Sequence, residues 1–377
     1  MKISAIKSLD EVDAAAWDAL VDPKDPFLSY AILQGMEATD CLSEQGWQPT
    51  HLLAHAEGTL VGALPLYIRD NSYGEFVFDW AWADAYARAG GRYYPKLVSA
   101  VPFTPVTGPR ILLAPAAPPE TAAMLISGAI QLAEDNRLSS WHCLFPADAQ
   151  LEQLTHPELI VREGCQYHWF NQNYPDFDAF LTTLTSKRRK EIRRERREID
   201  AAGVTIEIVE GVAITPALWD VFYQFYCDTF DRKWGTPRFT STFFKQLSET
   251  TDTWPVLFMA RIGAEYVAGA FALRGADTLF GRHWGCNRYV RNLHFELCYY
   301  QTIDYCIRHG LARVDAGAQG EHKIARGFNP IKTWSVHWIR DPGFRRAVAD
   351  FCRRETAAID DYVTSIEAQT AYREADQ

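Results

Sequence analysis

Residues 255–309 have the sequence PVLFMARIGAEYVAGAFALRGADTLFGRHWGCNRYVRNLHFELCYYQTIDYCIRH. The first part predicts three successive strands, over 255–262, 266–273 and 278–284, because β-branched and aromatic residues dominate each of them. The segment 293–309 then places apolar side chains at helical spacing: Leu293, Leu297, Tyr300, Ile303 and Ile307. Such a stripe predicts an amphipathic helix that packs on the sheet. Strands over 312–315 and 333–339 complete a mixed α/β unit.

The first half of the chain repeats this order of elements. Helices are predicted over 10–20, 29–39, 93–101 and 120–136, and strands over 51–56, 60–68, 75–82, 110–113 and 141–145. Leu60-Val61-Gly62-Ala63-Leu64 ends a hairpin as Val267-Ala268-Gly269-Ala270-Phe271 does. Phe78-Asp79-Trp80 ends a third strand as Arg282-His283-Trp284 does. Similar hairpins recur by chance, but the matching order of the surrounding elements favours an internal repeat.

Composition limits the classes of function. The 377 residues exceed one ordinary domain, and the formal net charge of -10 excludes a surface that attracts nucleic acid or anionic membrane as a whole. The 8 cysteines include no CxxC pair, which argues against a zinc ribbon and fits reduced thiols. Met1 to Ile6 do not begin a signal peptide, so we expect a cytoplasmic protein without a membrane span. No metal site is predicted.

Two predicted helices lie outside the repeat. A basic helix covers 177–201, and a long C-terminal helix covers 342–370 and begins with the N-cap and N1 pair Asp341-Pro342. We expect two domains, 1–165 and 166–377, with both helices in the second. Because each helix is placed where it could bridge the halves, neither half is expected to fold well alone.

Several strings resemble the FemAB-like family linked to peptidoglycan biosynthesis or recognition. They are Gly74 to Tyr86, Tyr93-Tyr94-Pro95-Lys96-Leu97, Val101 to Arg110, Ser186-Lys187-Arg188-Arg189-Lys190 and Gly317 to Phe328. The resemblance covers nearly the whole chain. It implies tandem domains of the GNAT acyltransferase superfamily, an α/β (α+β) fold in which each domain is a mixed, largely antiparallel sheet flanked by helices. It also implies N-acyltransferase activity, since better-understood relatives transfer an aminoacyl group from charged tRNA to an amine of a peptidoglycan precursor.

The donor remains open between acyl-CoA and aminoacyl-tRNA. The superfamily holds the CoA pyrophosphate on a glycine-containing loop that opens a helix. At that place this chain has Asn287 to Leu293, with Arg288 and Arg291 as candidate donor-binding residues but no glycine. Arg88-Ala89-Gly90-Gly91-Arg92 in the first half is closer to the motif. This difference from the superfamily motif argues against acetyl-CoA as the donor.

Candidate catalytic residues come from the second half. His283 lies near the end of the strand where the acceptor amine would arrive, and it is either a general base or a structural histidine. Glu296 is either a solvated acid in the first turn of its helix or a pocket acid. Glu321, His322 and Lys323 follow two glycines, in a loop that suits catalysis better than packing. We predict that His283, Glu296 and Glu321 share a cleft.

Candidate substrate-binding residues follow the aromatic string of the first half. Phe76, Phe78, Trp80 and Trp82 share one face of the predicted strand and Asp79 lies on the other, which is also the pattern of a plain core strand. Asp84 and Tyr86 come just after it, where loops often form sites. Asp79, Trp80, Asp84 and Tyr86 are therefore candidates, and Arg326 is a further one from the family string in the second half.

The basic segment 187–197 is the strongest charge feature of this acidic protein. A basic helix face is usually only solvated, but arginine suits bidentate contact with phosphate. Lys187, Arg189, Arg193 and Arg194 are therefore predicted to bind a nucleotide-linked precursor, a tRNA acceptor stem or lipid head groups, unless they pair with acids of the body. Two rival functions stay open: a module that recognises an envelope precursor without turnover, and RNA binding.

Overall fold

The computed structural model describes residues 1–22, 24–154, 156–232, 235–250, 254–318 and 320–373. The chain forms two compact units. The first contains residues 1–165 and 332–362, and the second contains 166–331 and 363–377. The sequence assigned all of 166–377 to one C-terminal domain, whereas the structure groups 332–362 with the first unit.

Strands and helices alternate along the described chain. The strands are β1 (Lys2–Ile6), β2 (Trp47–Pro49), β3 (His51–Ala56), β4 (Thr59–Leu64), β5 (Tyr67–Arg69), β6 (Lys96–Ser99), β7 (Leu112–Leu113), β8 (Ser140–Leu144), β9 (Leu159–Phe170), β10 (Val204–Glu210), β11 (Pro255–Ile262), β12 (Glu265–Arg274), β13 (Thr278–Cys286), β14 (Arg313–Asp315) and β15 (Asn329–Ile339). The helices are α1 (Ala14–Asp18), α2 (Tyr30–Ala38), α3 (Trp80–Arg88), α4 (Thr121–Asp135), α5 (Phe177–Thr183), α6 (Ser186–Ala201), α7 (Pro216–Asp231), α8 (Ser241–Thr250), α9 (Leu293–Phe295), α10 (Gln301–Arg308) and α11 (Pro342–Glu367).

The first unit contains two sheets. One has the strand order β1-β3-β4-β7 and is antiparallel. The other joins residues 335–339 of β15 to β8, β6, β5 and β2, and only its β6–β8 pair is parallel. Its core packs the buried face of α4, with Leu125 and Ala129, against Trp141 of β8 and Trp338 of β15.

The second unit is built on one sheet, in the order β10-β11-β12-β13-β14 followed by residues 168–170 of β9. Only the β13–β14 pair is parallel. The helix α7 begins with Pro216 at its first position and with Thr215 as its N-cap, whose side chain accepts a hydrogen bond from Leu218 N. Trp219 of α7 then stacks on Phe244 of α8 with 5.4 Å between ring centroids, which builds an aromatic core beneath the sheet.

The predicted strand 75–82 and the predicted helix 93–101 are both wrong. Residues 80–88 form α3, and residues 96–99 form β6. The aromatic residues of 75–82 have β-forming side chains, but Phe76 adopts a φ of 62° and Glu75 and Asp79 turn inward. Both acids bind the buried Lys96, at 2.7 Å and 2.5 Å, so a partner distant in sequence overrides the local preference.

The predicted basic helix 177–201 is two helices, because Leu184 is extended between α5 and α6. The predicted helix 10–20 is shorter, with a 3₁₀ turn at Leu9–Glu11 before α1. The segment predicted over 293–309 is helical, but it contains a π-helical stretch at Glu296–Tyr300 between α9 and α10. Such insertions are frequent at functional sites.

We expect Lys96→Met to destabilise the first unit by about 3–5 kcal/mol, because removing one partner leaves buried charge uncompensated. Burial favours the neutral form of Asp79, but Lys96 outweighs it and holds the pKa of Asp79 at about 2. Lys245→Met is a matched control, since Lys245 also pairs with a carboxylate, that of Asp220, but at the surface. Guanidinium unfolding of the full chain measures both changes, and equal losses would contradict the role assigned to Lys96.

Candidate active site

The parallel strands β13 and β14 diverge after three residue pairs. Thr278, Leu279 and Phe280 pair with Arg313, Val314 and Asp315, and β13 then continues to Cys286. The pairing of β13 with β12 also shifts here, so that Arg282 falls between the paired residues Gly281 and His283. A bulge of this kind redirects a side chain and ends regular pairing. From Gly281 onward, the described part of β13 therefore has no paired strand on the β14 side.

A cavity of about 110 Å³ lies at this divergence. Its walls come from β11, β12, β13, the helical segment 294–302 and the residue after β14. The lining residues are Phe258, Ala270, Phe271, Ala272, Gly281, Arg282, His283, Trp284, His294, Cys298, Tyr299, Thr302 and Ala316. The cavity is lined by both aromatic and polar side chains, a composition typical of small-molecule sites.

The buried carboxylate of Asp315 fixes the end of β14. Its two oxygens accept from Nη1 and Nη2 of Arg282 at 3.2 Å and 2.9 Å, and one also accepts from the N–H of Gly317 at 2.8 Å. Burial opposes the charge, but Arg282 outweighs it and holds the pKa of Asp315 far below its usual range. His168 lies 3.6 Å away, and burial lowers its pKa to about 4. Asp315 and Arg282 thus form a fixed ion pair at the cavity.

Lys323 is 2% exposed and does not itself line the cavity, but it contacts the backbone of Ala316, which does. Its Nζ donates to the carbonyl oxygens of Ala316 and Gly317, at 2.8 Å and 2.9 Å. Burial is the main cause that lowers its pKa to about 8, and the Asp315 carboxylate opposes this. An ammonium group that loses its proton near neutrality is one that enzymes use in acid–base chemistry.

His322 and Tyr299 connect the cavity with the surface. The Tyr299 hydroxyl group lies 2.8 Å from Nε2 of His322, and His322 is exposed. Burial and the nearby cations Arg326 and Lys323 lower the pKa of His322. The imidazole is therefore neutral at pH 7 and able to accept a proton.

His283 lines the cavity, but its ring is surrounded by aromatic side chains. Ring centroids of Tyr226 and Phe239 lie 4.9 Å and 5.4 Å from it. Burial, with a contribution from Arg282, lowers its pKa to about 3. At neutral pH this ring is a weak proton acceptor.

Glu296 and Glu321 do not line the cavity in the part of the chain that the structure describes. Glu296 is buried and instead accepts from Gln301 at 2.8 Å and pairs with Arg196 of α6 at 3.1 Å. Burial raises its pKa. Glu321 is exposed, so the cleft predicted for His283, Glu296 and Glu321 contains only the histidine.

Arg326, a predicted substrate contact, is buried and attaches α6 to the unit. Its guanidinium group donates to both oxygens of Glu195, at 3.1 Å and 3.2 Å, and lies 3.5 Å over the ring of Phe295. The Tyr300 hydroxyl donates to the same carboxylate. Together with Arg196 and Glu296, these contacts fix which face of α6 points inward.

The outward face of α6 is basic. An open groove of about 670 Å³ is lined by Lys187, Lys190, Glu191, Arg193, Arg194 and Arg197. Arg193 pairs with Asp178 at 2.8 Å and Arg194 with Glu198 at 3.7 Å, both at the surface, and Arg189 lies 3.5 Å from the Ser186 hydroxyl. Among the described residues, Lys187, Lys190 and Arg197 have no acidic partner.

The loop after β13 adjoins this basic face. Arg291 lies 3.8 Å from Glu198 of α6, and the Asn292 amide donates to the same carboxylate at 2.9 Å. Arg288 and Tyr289 are exposed. Arg288 and Arg291, predicted to bind the donor, thus extend the charge of α6 towards the helix that borders the cavity.

The candidates of the first half separate into buried and exposed groups. Asp79 is buried with Lys96 and accepts from the Tyr93 hydroxyl at 2.7 Å, while Tyr86 stacks on Phe344 with 4.4 Å between centroids. Trp80 and Asp84 are exposed. Asp79 and Tyr86 are held by contacts within the fold, whereas Trp80 and Asp84 are accessible to a ligand.

Sequence reasoning missed Arg282, Tyr299 and Asp315. The only signals were the Arg282-His283-Trp284 string at the end of a strand and the acid before Gly317. Among the described residues, no group of three or more potential ligands could hold a metal ion, and no helix combines the length and apolar character needed to cross a membrane.

A family model described as peptidoglycan biosynthesis/recognition, FemAB-like, matches residues 8–374. Solved structures with a similar fold include FemX, with 10% identity and a TM-score of 0.55 over 93% of this chain and 100% of that chain. The C-terminal domain of a putative lysylphosphatidylglycerol synthetase from Agrobacterium fabrum has 10% identity and a TM-score of 0.54, over 92% and 97%. L-PGS from Bacillus licheniformis has 10% identity and a TM-score of 0.51, over 87% and 97%. No curated protein sequence matches the chain.

The predicted fold class is confirmed, because each unit has a mixed, largely antiparallel sheet flanked by helices and the solved neighbours share this fold.

We expect Asp315→Asn to destabilise the second unit by about 3–5 kcal/mol, because Arg282 would remain buried without its counter-charge. The pKa of Asp315 is lower in the folded state than in the unfolded state. Its charge therefore stabilises the folded state above the usual carboxyl pKa of about 3.9, and this stabilisation is lost progressively as the pH falls below that value. Chemical unfolding at pH 7 and pH 3 measures this difference. Asp178→Asn, which removes an exposed partner of Arg193, is the control, and a similar loss there would contradict the assignment.

Proposed function

The chain belongs to the FemAB-like family, and from that premise we propose that it is an N-acyltransferase whose reaction takes place in the cavity between β13 and β14. The observation that supports this most is the divergence of the two strands beside the buried cation Lys323. An acyl carbonyl that enters the gap would meet backbone N–H groups of the unpaired edge of β13. Preorganised donors of this kind stabilise the oxyanion of acyl transfer.

The transfer forms a C–N bond between the acceptor amine and the acyl carbon. The C–O or C–S bond to the carrier then breaks, and the carrier leaves with the electron pair. The ammonium group of Lys323 donates to the carbonyl oxygens of Ala316 and Gly317, and Ala316 lines the cavity. In the proposed reaction its third N–H stabilises the oxyanion or the leaving group, so that Lys323 is the cation beside the reacting centre.

The amine must lose a proton when the C–N bond forms. We assign this route to Tyr299, which lines the cavity, and to His322, which accepts from the Tyr299 hydroxyl group at 2.8 Å in the tautomer protonated at Nδ1. The lowered pKa of His322 keeps it neutral at pH 7, and its exposure lets it release the proton to water. Burial lowers the pKa of His283 to about 3, and His283 serves as part of the aromatic wall.

The basic face of α6 favours a donor with several phosphates. Lys187 and Arg197 are ten residues apart on the helix, which corresponds to about 15 Å. That length is greater than a single pyrophosphate needs, and it suits the backbone of an RNA-linked donor better than CoA. We therefore propose aminoacyl-tRNA as the donor, with Arg288 and Arg291 near its acylated end. The family description supports a peptidoglycan precursor as the amine acceptor.

We expect Lys323→Met to lower kcat about 100-fold with little effect on donor binding, because removal of one oxyanion donor has an effect of that order. The wild-type rate should fall above about pH 8, where Lys323 loses its proton. In Lys323→Arg the fall should move to higher pH, since a guanidinium group stays protonated. Single-turnover transfer of a labelled amino acid measures these rates. A pH profile unchanged in both variants would contradict the role of Lys323.

His322→Gln should also lower kcat about 100-fold, the lower end of the range for general acid–base catalysis. The wild-type rate should fall as the pH drops through the lowered pKa of His322, and this acidic limb should be absent in the variant. The control is His156→Gln, because His156 belongs to the first unit. A retained acidic limb in His322→Gln would rule out His322 as the proton acceptor.

We expect the triple variant Arg189, Arg193 and Arg194→Gln to weaken tRNA binding and to reduce its salt dependence. Each lost phosphate contact reduces the slope of log K against log salt by about 0.7–0.9. The melting temperature should change little, because the buried face of α6 is intact. The control replaces Arg346, Arg353 and Arg354 of α11, three exposed arginines of the first unit.

An equal loss of tRNA binding in both triple variants would show only a net-charge effect and would contradict a site on α6. Binding to tRNA without turnover of any amine would instead support a recognition protein.

A further inference from the structure

Three aromatic side chains of the first unit are exposed next to one another. Tyr73 is 60% exposed, and Phe78 and Trp80 are each 47% exposed. The Trp80 ring lies 5.9 Å from that of Tyr73 and 5.2 Å from that of Phe78, centroid to centroid. We call these three residues the aromatic platform. Adjacent exposed aromatic rings on a soluble protein mark a binding site more often than isolated ones do.

The segment that carries the aromatic platform is fixed from beneath. Arg69 is buried and donates to the Tyr73 carbonyl oxygen at 2.7 Å, and Arg162 donates to that of Phe78 at 2.9 Å. Glu75 and Asp79, which alternate with the platform residues in sequence, point inward to Lys96. The rings are therefore held outward by a rigid support. A preorganised surface binds a ligand at a smaller entropic cost.

Polar groups border the platform on one side. Trp80, Asp84 and Arg88 are spaced four residues apart on α3, so they share one face of the helix. All three are exposed, and Asp84 pairs with Arg88 at 3.0 Å. The surface thus presents aromatic faces beside one hydrogen-bond acceptor and one donor, both accessible to a ligand.

We propose that the aromatic platform binds a neutral glycan, by stacking of β-linked gluco-configured pyranose rings. Such a ring has equatorial substituents, so its two faces expose C–H groups that pack on an aromatic ring, while its edge carries hydroxyl groups. Asp84 and Arg88 supply the acceptor and donor for that edge. The inference concerns binding by the first unit and does not require the transfer proposed above.

The size and charge of the surface favour a glycan over other occupants. An aromatic side chain buries 150–250 Å² when covered, so three half-exposed rings offer roughly 300 Å². A stable protein interface needs about 800 Å² on each partner. The charged side chains shown next to the rings form ion pairs, Asp84 with Arg88 and Arg162 with Glu355, and these pairs give no positive excess for an anionic membrane.

Isothermal titration of the full chain with tetra-N-acetylchitotetraose, a β-1,4-linked tetrasaccharide, tests this site. Wild-type protein should bind it, and Trp80→Ala should weaken binding about tenfold or more with an unchanged melting temperature. Trp80→Phe should retain most of the affinity because it keeps a stacking ring. Asp84→Asn should weaken binding severalfold. The matched control is Tyr289→Ala, which removes an exposed aromatic residue of the second unit.

Two outcomes would overturn the proposal. One is the absence of binding by wild-type protein at millimolar tetrasaccharide. The other is equal affinity of the wild type and Trp80→Ala, and loss of self-association or of sedimentation with phosphatidylglycerol vesicles in that variant would then assign the platform to another occupant. Because no acyl donor is present in the titration, failure of the transfer reaction in separate assays would leave the result on glycan binding unaffected.

Discussion

The buried ion pair of Asp315 and Arg282 determines the geometry on which the second unit depends. A carboxylate so deep in a protein is costly to desolvate, and it stays charged here because a guanidinium group meets both of its oxygens. The pair forms where β14 ends, so it fixes the point at which the two strands separate. The N–H of Gly317 binds the same carboxylate, which turns the chain and presents the carbonyl oxygens that hold Lys323. Cavity, unpaired strand edge and buried cation all follow from this one contact.

The first unit also contains a buried charge cluster, but a lysine and not a carboxylate lies at its centre. There a buried lysine, Lys96, gathers Glu75 and Asp79, and the loop that carries them is fixed with its aromatic side chains outward. Buried ion pairs contribute little net stability, but a loop anchored by one has few alternative conformations. In both units a charge cluster lies under the surface that we assign to a ligand. The α6 contacts of Glu195 with Arg326 and of Arg196 with Glu296 extend this pattern, because they orient the basic face outward.

The sequence predicts most of the second unit because its strands and helix are long and strongly patterned. The strands over 255–262 and 278–284 needed only local information, and the structure places them as β11 and β13. The prediction of a strand over 75–82 was wrong because its aromatic residues favour a strand. Its acids turn inward only because they bind Lys96, which lies seventeen residues beyond Asp79. Contacts between residues distant in sequence also limited what could be predicted of the site. Lys323 and His322 were found as ionisable neighbours of glycines, but their partners Ala316 and Tyr299 come from other elements and leave no local pattern.

Photoaffinity labelling can show whether acyl transfer takes place between β13 and β14. The probe is a short RNA hairpin with the single-stranded end of a tRNA, joined by a non-transferable amide to an amino acid that carries a diazirine. After irradiation with the full-length protein, peptide mass spectrometry locates the label. We expect labelling of cavity residues such as Trp284, His294 or Cys298, and competition by unlabelled aminoacyl-RNA. Labelling confined to the first unit, or spread over the surface without competition, would contradict it.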